Sequence, residues 1–204
     1  MGKLWFVSLV CFFSLCFIQD VFSEDKGVQI LGAFGIAFTD SHDVIEKKGF
    51  KQNKTQQGML LYKKPGDSTG DMTEYNIVVD PDMFQIKTIR GIKKFIGKDT
   101  GKACNNFKRT VVLHIERKYS NIKKILDKKK NNNDIIFYNG QNMRQSDYAI
   151  TLRCERYHPI YDVVVLNMGK PFKLIIEYNL TEQNLRRIKK AKDLEQSSTL
   201  KDKY

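Results

Sequence analysis

The chain has 204 residues, 41% of them apolar and 28% charged, with a formal net charge of +12. That length suits one domain with a real core or two small lobes. Beyond the first two dozen residues no apolar stretch is long enough to span a bilayer, which excludes a chain built on several membrane helices.

The opening residues, MGKLWFVSLVCFFSLCFIQDVFSED, set Lys3 before an apolar run from Leu4 to Ile18 and reach Val21-Phe22-Ser23. This is the tripartite form of a secretory signal peptide, and the expected cut follows Ser23, so residues 1–23 form the leader. The alternative is an uncleaved anchor, although a run of about 15 residues falls short of the roughly 20 a membrane helix wants. Lipidation is not expected, because Leu15 and Val10, rather than small residues, precede Cys16 and Cys11. Lys3 and Asp20 cancel, so the leader carries none of the positive excess. A basic exported chain meets anionic lipid headgroups, polysaccharide or acidic proteins before it meets nucleic acid, so no nucleic-acid partner is expected. Abundant lysine beside Asn131-Asn132-Asn133 also fits an AT-rich genome.

The domain proper is expected over residues 24–196, with possible lobes at 28–96 and 99–195 and a flexible tail at 197–204. Val28 to Phe38 alternates loosely and reads as a strand ending near Gly35. Asp40 or Ser41 can then cap a short helix with Val44 and Ile45 inward, which Gly49 stops. Gly58 to Lys64 reads as a strand and PGDSTGD as a turn. Thr73 to Asp80 and Phe84 to Ile92 are β-rich runs around Pro81-Asp82-Met83, with Phe84, Ile86 and Thr88 expected on one face and Gln85, Lys87 and Ile89 on the other. Asp99 or Thr100 caps a longer helix in which Cys104, Phe107, Val111 and Ile115 recur at helical spacing. NIKKILD continues as a short helix leading to a polar tip. Strands are expected at Asp134 to Tyr138, Tyr148 to Glu155, Tyr161 to Asn167 and Phe172 to Tyr178, with Met168-Gly169-Lys170-Pro171 as a hairpin connection. Thr181 caps a closing helix with Leu185, Ile188, Ala191 and Leu194 on its inner stripe. This order predicts an α+β fold: antiparallel meanders with helices on one face, in two helix-plus-meander modules.

Cleavage removes Cys11 and Cys16, leaving Cys104 and Cys154 in a compartment that permits disulfides. Two cysteines have one pairing. A loop of about 50 residues closed by it stabilises by about 4 kcal/mol in the chain-entropy model.

The segment GAFGIAFTDSHDVIEKKGF resembles the opening of exported bacterial envelope proteins in which a glycine-flanked strand leads into a helix. The helix running from Cys104 to Lys118-Tyr119, the strand bearing Leu152 and Cys154, and the strand bearing Ile176 and Tyr178 extend that likeness over the rest of the chain. The order of elements is similar to the helix-plus-meander modules of the beta-lactamase inhibitor protein and of the assembly lipoprotein BamE. The resemblance implies an antiparallel sheet that works through a surface. It transfers no functional residue and, without a lipidation site, no outer-membrane anchor.

Gly32 and Gly35 lack the spacing of a phosphate-cradling loop and are read as the first turn of a module. His42, His114 and His158 lie far apart, with no metal-ligand spacing, so neither a metal nor a cofactor is expected. His114 is placed at the border of its helix's packed stripe. Asp40/Asp43 and Asp80/Asp82 sit at apparent caps and turns, where short carboxylates satisfy backbone amides. Asn53 and Asn179 open glycosylation sequons that matter only in a eukaryotic host. Lys123, Lys124, Lys128, Lys129 and Lys130, with Arg186, Lys189 and Lys190, form the candidate anion-facing patch. The function expected is a non-enzymatic envelope interaction protein, binding a protein or an anionic component through a sheet face or a basic surface. The alternative is a secreted hydrolase with dispersed catalytic residues.

Overall fold

Short turns between alternating strands leave the chain no route but up and down. The computed structural model describes residues 30–53, 58–66, 72–119, 121–127, 134–139, 142–156 and 171–201. The expected signal segment with Ser23, Lys128, Lys129, Lys130, His158 and the strand expected at Tyr161 to Asn167 lie outside these residues. A small hairpin, β1 (Gly32–Ala33) and β2 (Ile36–Ala37), leads into α1 (His42–Lys47). Then follow β3 (Lys51–Gln52), β4 (Leu60–Pro65), β5 (Glu74–Asp80) and β6 (Gln85–Phe95). The second half opens with α2 (Thr100–Lys118) and continues through β7 (Lys123–Asp127), β8 (Asp134–Tyr138), β9 (Tyr148–Arg156) and β10 (Phe172–Leu180) to α3 (Glu182–Lys201).

The eight long-range strands form one antiparallel sheet in the order β3-β4-β5-β6-β10-β9-β8-β7. Each half is a four-stranded meander preceded by a helix, and the halves meet where β6 runs beside β10. The expected α+β meander architecture is therefore present, with its two modules fused edge to edge. The core lies between the sheet and α1, α2 and the β1–β2 hairpin, around Ile45, Tyr62, Ile89, Ile115, Leu152 and Ile176.

Local departures from the sequence reading have physical causes. Val28 to Phe38 is not one strand within the described residues. Phe34 and Gly35 both take positive φ, 53° and 74°, the combination of a primed hairpin turn whose twist matches its strands. This turn drops the Phe34 ring onto Gly91 of β6, where an added Cβ would lie 2.6 Å from Phe34 Cζ. Tyr75 and Tyr178 flank the ring at centroid distances of 5.3 and 5.7 Å. NIKKILD is a strand rather than a helix: Ile125 and Leu126 pair with Ile136 and Ile135 of β8. Tertiary pairing there overrides the helix propensity of lysine and leucine. A register shift at Val78/Val79 takes up an extra residue around Lys87, so Ile86 and Ile89 are both buried, at 0% and 1% exposure, instead of pointing apart.

On α2 the buried residues are Thr100, Cys104, Lys108, Val112 and Ile115, so the stripe runs one position beyond Phe107 and Val111, which are half-buried. His114 is exposed. Thr181 caps α3 as expected, accepting the Asn184 N–H at 3.4 Å and, through its carbonyl, the Leu185 N–H at 3.0 Å. Leu185 and Ile188 pack on the core, but Ala191 and Leu194 are exposed, and the helix continues beyond Ser197 to Lys201.

Candidate functional site

Cys104 and Cys154 form the expected disulfide, with Cα atoms 6.1 Å apart. Both are buried, and they pin the N-terminal part of α2 to the C-terminal half of β9. Because successive strand residues point to opposite faces, the bond fixes which side of the sheet α2 covers. Arg153 and Glu155, the neighbours of Cys154, must then project from the outer face.

That outer face carries a continuous polar row. The strand register places Asn76 beside Arg90, Arg90 beside Glu177, Glu177 beside Thr151, and Thr151 beside Ile136. Glu177 is only 8% exposed and its Oε1 accepts Arg90 Nη2 at 2.6 Å and Arg153 Nη2 at 3.4 Å. Glu155 continues the row, meeting Arg153 Nε at 3.4 Å and Lys173 Nζ at 2.9 Å. At the other end Asn76 donates to Glu74 at 3.0 Å, and Glu74 lies 3.7 Å from Lys94. Thr88 donates to Asn179 Oδ1 at 2.7 Å on the same face, so the second sequon asparagine has a structural partner.

Hydrogen-bonding capacity is left over. Among the described residues, Asn76 Oδ1 and Arg90 Nε are buried without a hydrogen-bond partner, and Arg153 Nε has only its 3.4 Å ion-pair contact with Glu155. Such groups in a folded protein call for water or a ligand. No sequence signal singled out this row, since arginine and glutamate at alternating strand positions read as solvated residues. What could have located it is the assignment of Cys154 to the core, which forces Arg153 and Glu155 outward.

The described residues of the candidate basic patch lie on two elements, β7 and α3. Lys123 and Lys124 lie on β7, where Lys124 Nζ contacts Glu116 Oε1 of α2 at 2.5 Å. Arg186, Lys189 and Lys190 are exposed on one side of α3, three and four residues apart, while Arg187 pairs with Asp147 at 2.7 Å. A cleft between α3 and the β5–β6 turn is lined by Arg186, Lys189, Asp80, Asp82 and Lys87.

One member of each acidic pair, Asp40 and Asp80, does the work of a turn. Asp40 Oδ2 accepts the Ala37 N–H at 2.9 Å and Lys48 Nζ at 2.6 Å, while Ser41, at the helix cap position, makes no side-chain cap bond. Asp80 accepts the Asp82 N–H at 3.1 Å and meets Lys87 Nζ at 2.8 Å. Burial pulls the Asp80 carboxyl upward, but Lys87 and the amides of Asp82 and Met83 outweigh it and hold it below the ordinary value. Burial raises the Tyr178 phenol well above its usual value, with Tyr119 adding to the effect. It raises Tyr62 too, with help from Glu46. Burial lowers the Lys108 ammonium against the opposing charge of Asp134. These groups lie on separate elements. His42 stacks edge-on against Tyr62 and Phe84 at 5.7 and 5.5 Å, with Glu46 3.1 Å from its Nε2. Among the described residues no three His, Cys, Asp or Glu side chains are grouped as a metal site. None of the described helices is long and apolar enough to cross a membrane.

The chain matches no protein-family model, no curated protein and no solved structure.

Proposed function

We propose that this chain is an exported, non-enzymatic interaction protein of the cell envelope that docks a protein partner on the outer face of its sheet. The observation that carries the reading is the row Asn76–Arg90–Glu177–Arg153–Glu155, in which acidic and basic groups are held against one another and, among the described residues, the buried Asn76 Oδ1 and Arg90 Nε make no hydrogen bond. A rigid strand face of this kind can offer fixed donors and acceptors with little ordering cost on binding. Thr151 and Ala149, short and half-buried on that face, leave room for side chains of the partner. Export is supported by the leader at residues 1–23 and by the disulfide, which suits an oxidising compartment.

A second reading, attachment to an anionic lipid or polysaccharide surface, is favoured by Arg186, Lys189 and Lys190 sharing one exposed side of α3. Capture of partners from native envelope extract separates the two, using the wild type, Thr151→Arg, and the triple variant Arg186→Glu/Lys189→Glu/Lys190→Glu. The outer-face reading expects Thr151→Arg to lose the captured protein at unchanged melting temperature, while the triple variant retains it. Retention by Thr151→Arg with loss by the triple variant would replace it by the surface-attachment reading. Sedimentation with anionic vesicles then provides the direct check.

A further inference from the structure

The charges of the outer face are not evenly matched along it. The strand register carries one row from Lys51 of β3 across Lys63, Asn76 and Arg90 to Glu177 of β10. Towards β9 and β10 the bases have acids: Glu177 holds Arg90 and Arg153, and Glu155 holds Arg153 and Lys173. At the β3–β4 end that matching stops. Lys51 and Lys63 are Cα partners on the same face, and among the described residues neither has an acidic or hydrogen-bonding partner. The acid diagonal to Lys63, Glu74, is engaged by Asn76 and Lys94. Nor does Lys63 use the amide beside it, since Asn76 Oδ1 makes no hydrogen bond among the described residues.

Like charges directly opposite on antiparallel strands disfavour the pairing. An edge lysine such as Lys51 discourages the addition of a further strand. Lys63 lies on β4, between β3 and β5, where that reason does not apply. Lys51 is exposed and Lys63 half-buried, and both carry their ammonium on a long flexible stem. Cα atoms opposite each other stand about 4.5 to 5.5 Å apart, so one carboxylate can lie between the two ammonium groups. We infer that Lys51 and Lys63 receive a carboxylate from an acidic segment of the docked protein; this rests on the outer-face reading and names the chemistry of what docks there.

A uniformly anionic layer of lipid headgroups suits this face less well. It would press against Glu74, Glu155 and Glu177 as well as the lysines, and like charges set together across an interface are costly. A discrete acid at the β3–β4 end avoids them. Such a contact fixes the partner's orientation on the face and speeds encounter more than it deepens affinity.

Fluorescence anisotropy of a labelled oligoglutamate peptide at low salt, against the disulfide-bonded protein purified after export, tests this, with oligoglutamine as the uncharged control. Lys51→Glu/Lys63→Glu should weaken binding by at least about fivefold. The charge-matched reversal Lys102→Glu/Arg109→Glu, at exposed positions of α2, should leave it within about twofold. Circular dichroism and melting temperature confirm folding. Should the double reversal fail to fold, Lys51→Gln/Lys63→Gln carries the test and should weaken binding by at least about threefold. Absence of peptide binding, equal loss in the two reversals, or loss of phosphatidylglycerol-vesicle binding without loss of peptide binding would each overturn the inference. Capture from native envelope extract separates it from the reading beneath it. A captured protein lost with Thr151→Arg but kept by the lysine reversal would overturn the inference and leave the outer-face reading standing, whereas capture indifferent to both would overturn both.

Discussion

Replacing Cys104 and Cys154 together by alanine removes the one covalent tie between α2 and the sheet. The bond spans 50 residues of sequence. For a loop of about that size the chain-entropy relation gives about 14 cal/mol/K, or about 4 kcal/mol at 25 °C, of unfolded-state freedom regained. The native state loses little else, because each substitution deletes one sulfur from a site already 0% or 7% exposed, and the β6–β10 and β9–β10 ladders remain. A domain's whole stability is about 5 to 15 kcal/mol, so the variant should keep its fold but lose a large share of its margin. At about 2 to 4 °C per kcal/mol for this size, the melting temperature should fall by about 8 to 16 °C. Urea unfolding followed by circular dichroism measures the change, with alkylation under non-reducing conditions confirming the wild-type bond. The denaturant slope should rise, since the open chain exposes more surface on unfolding. A loss below about 1 kcal/mol, against the expected 2 to 5, would refute the claim that this bond holds the second module closed. Two free thiols in the intact wild type would remove its premise.

Gly91→Ala should cost about 1 to 3 kcal/mol, because its methyl would meet the Phe34 ring at 2.6 Å; near-UV circular dichroism should show the loss of order around Tyr75 and Tyr178. Glu177→Ala leaves two guanidinium groups facing each other and should cost about 1 to 3 kcal/mol in urea unfolding, below the roughly 3 to 5 of a fully buried pair, since both arginines are about 30% exposed. A neutral result there would mean the arginines reorient freely into water. The raised Tyr178 phenol gives a pH signature. The unfolded chain releases that proton near pH 10.0 while the folded chain holds it, so stability is whole below that pH and falls as pH rises above it. Tyr178→Phe should flatten the alkaline loss, as read by urea midpoints from about pH 8 to about pH 11.

Much of the architecture was legible in one dimension because it rests on local rules. The alternation of Ile150, Leu152 and Cys154 with Thr151 and Arg153 marks a half-buried strand wherever it is placed. The Thr181 cap needs only its own following amides, and the two cysteines outside the expected leader admit a single pairing. The Gly32–Gly35 segment was likewise readable as a module's first turn, since turn geometry is a property of adjacent residues.

The remainder depends on neighbours distant in sequence. Lys123–Asp127 has the composition of a helix and becomes a strand because β8 supplies hydrogen bonds and apolar cover that the segment lacks alone. The bulge beside Lys87 is set by pairing with Val78 and Val79, so the face occupied by Ile86 was unreadable from Phe84 to Ile92 by itself. Lys108 sits in the buried stripe of α2, a position that periodicity assigns to apolar residues. The outer row is the clearest case. Residues 76, 90, 153 and 177 converge only because β6 and β10, separated by the whole second module, lie side by side. The sequence alone thus determined most of the elements and the staple, through propensity, periodicity and cysteine count. The tertiary structure alone decided which charges share a face, because cross-strand adjacency is set by pairing and not by proximity along the chain.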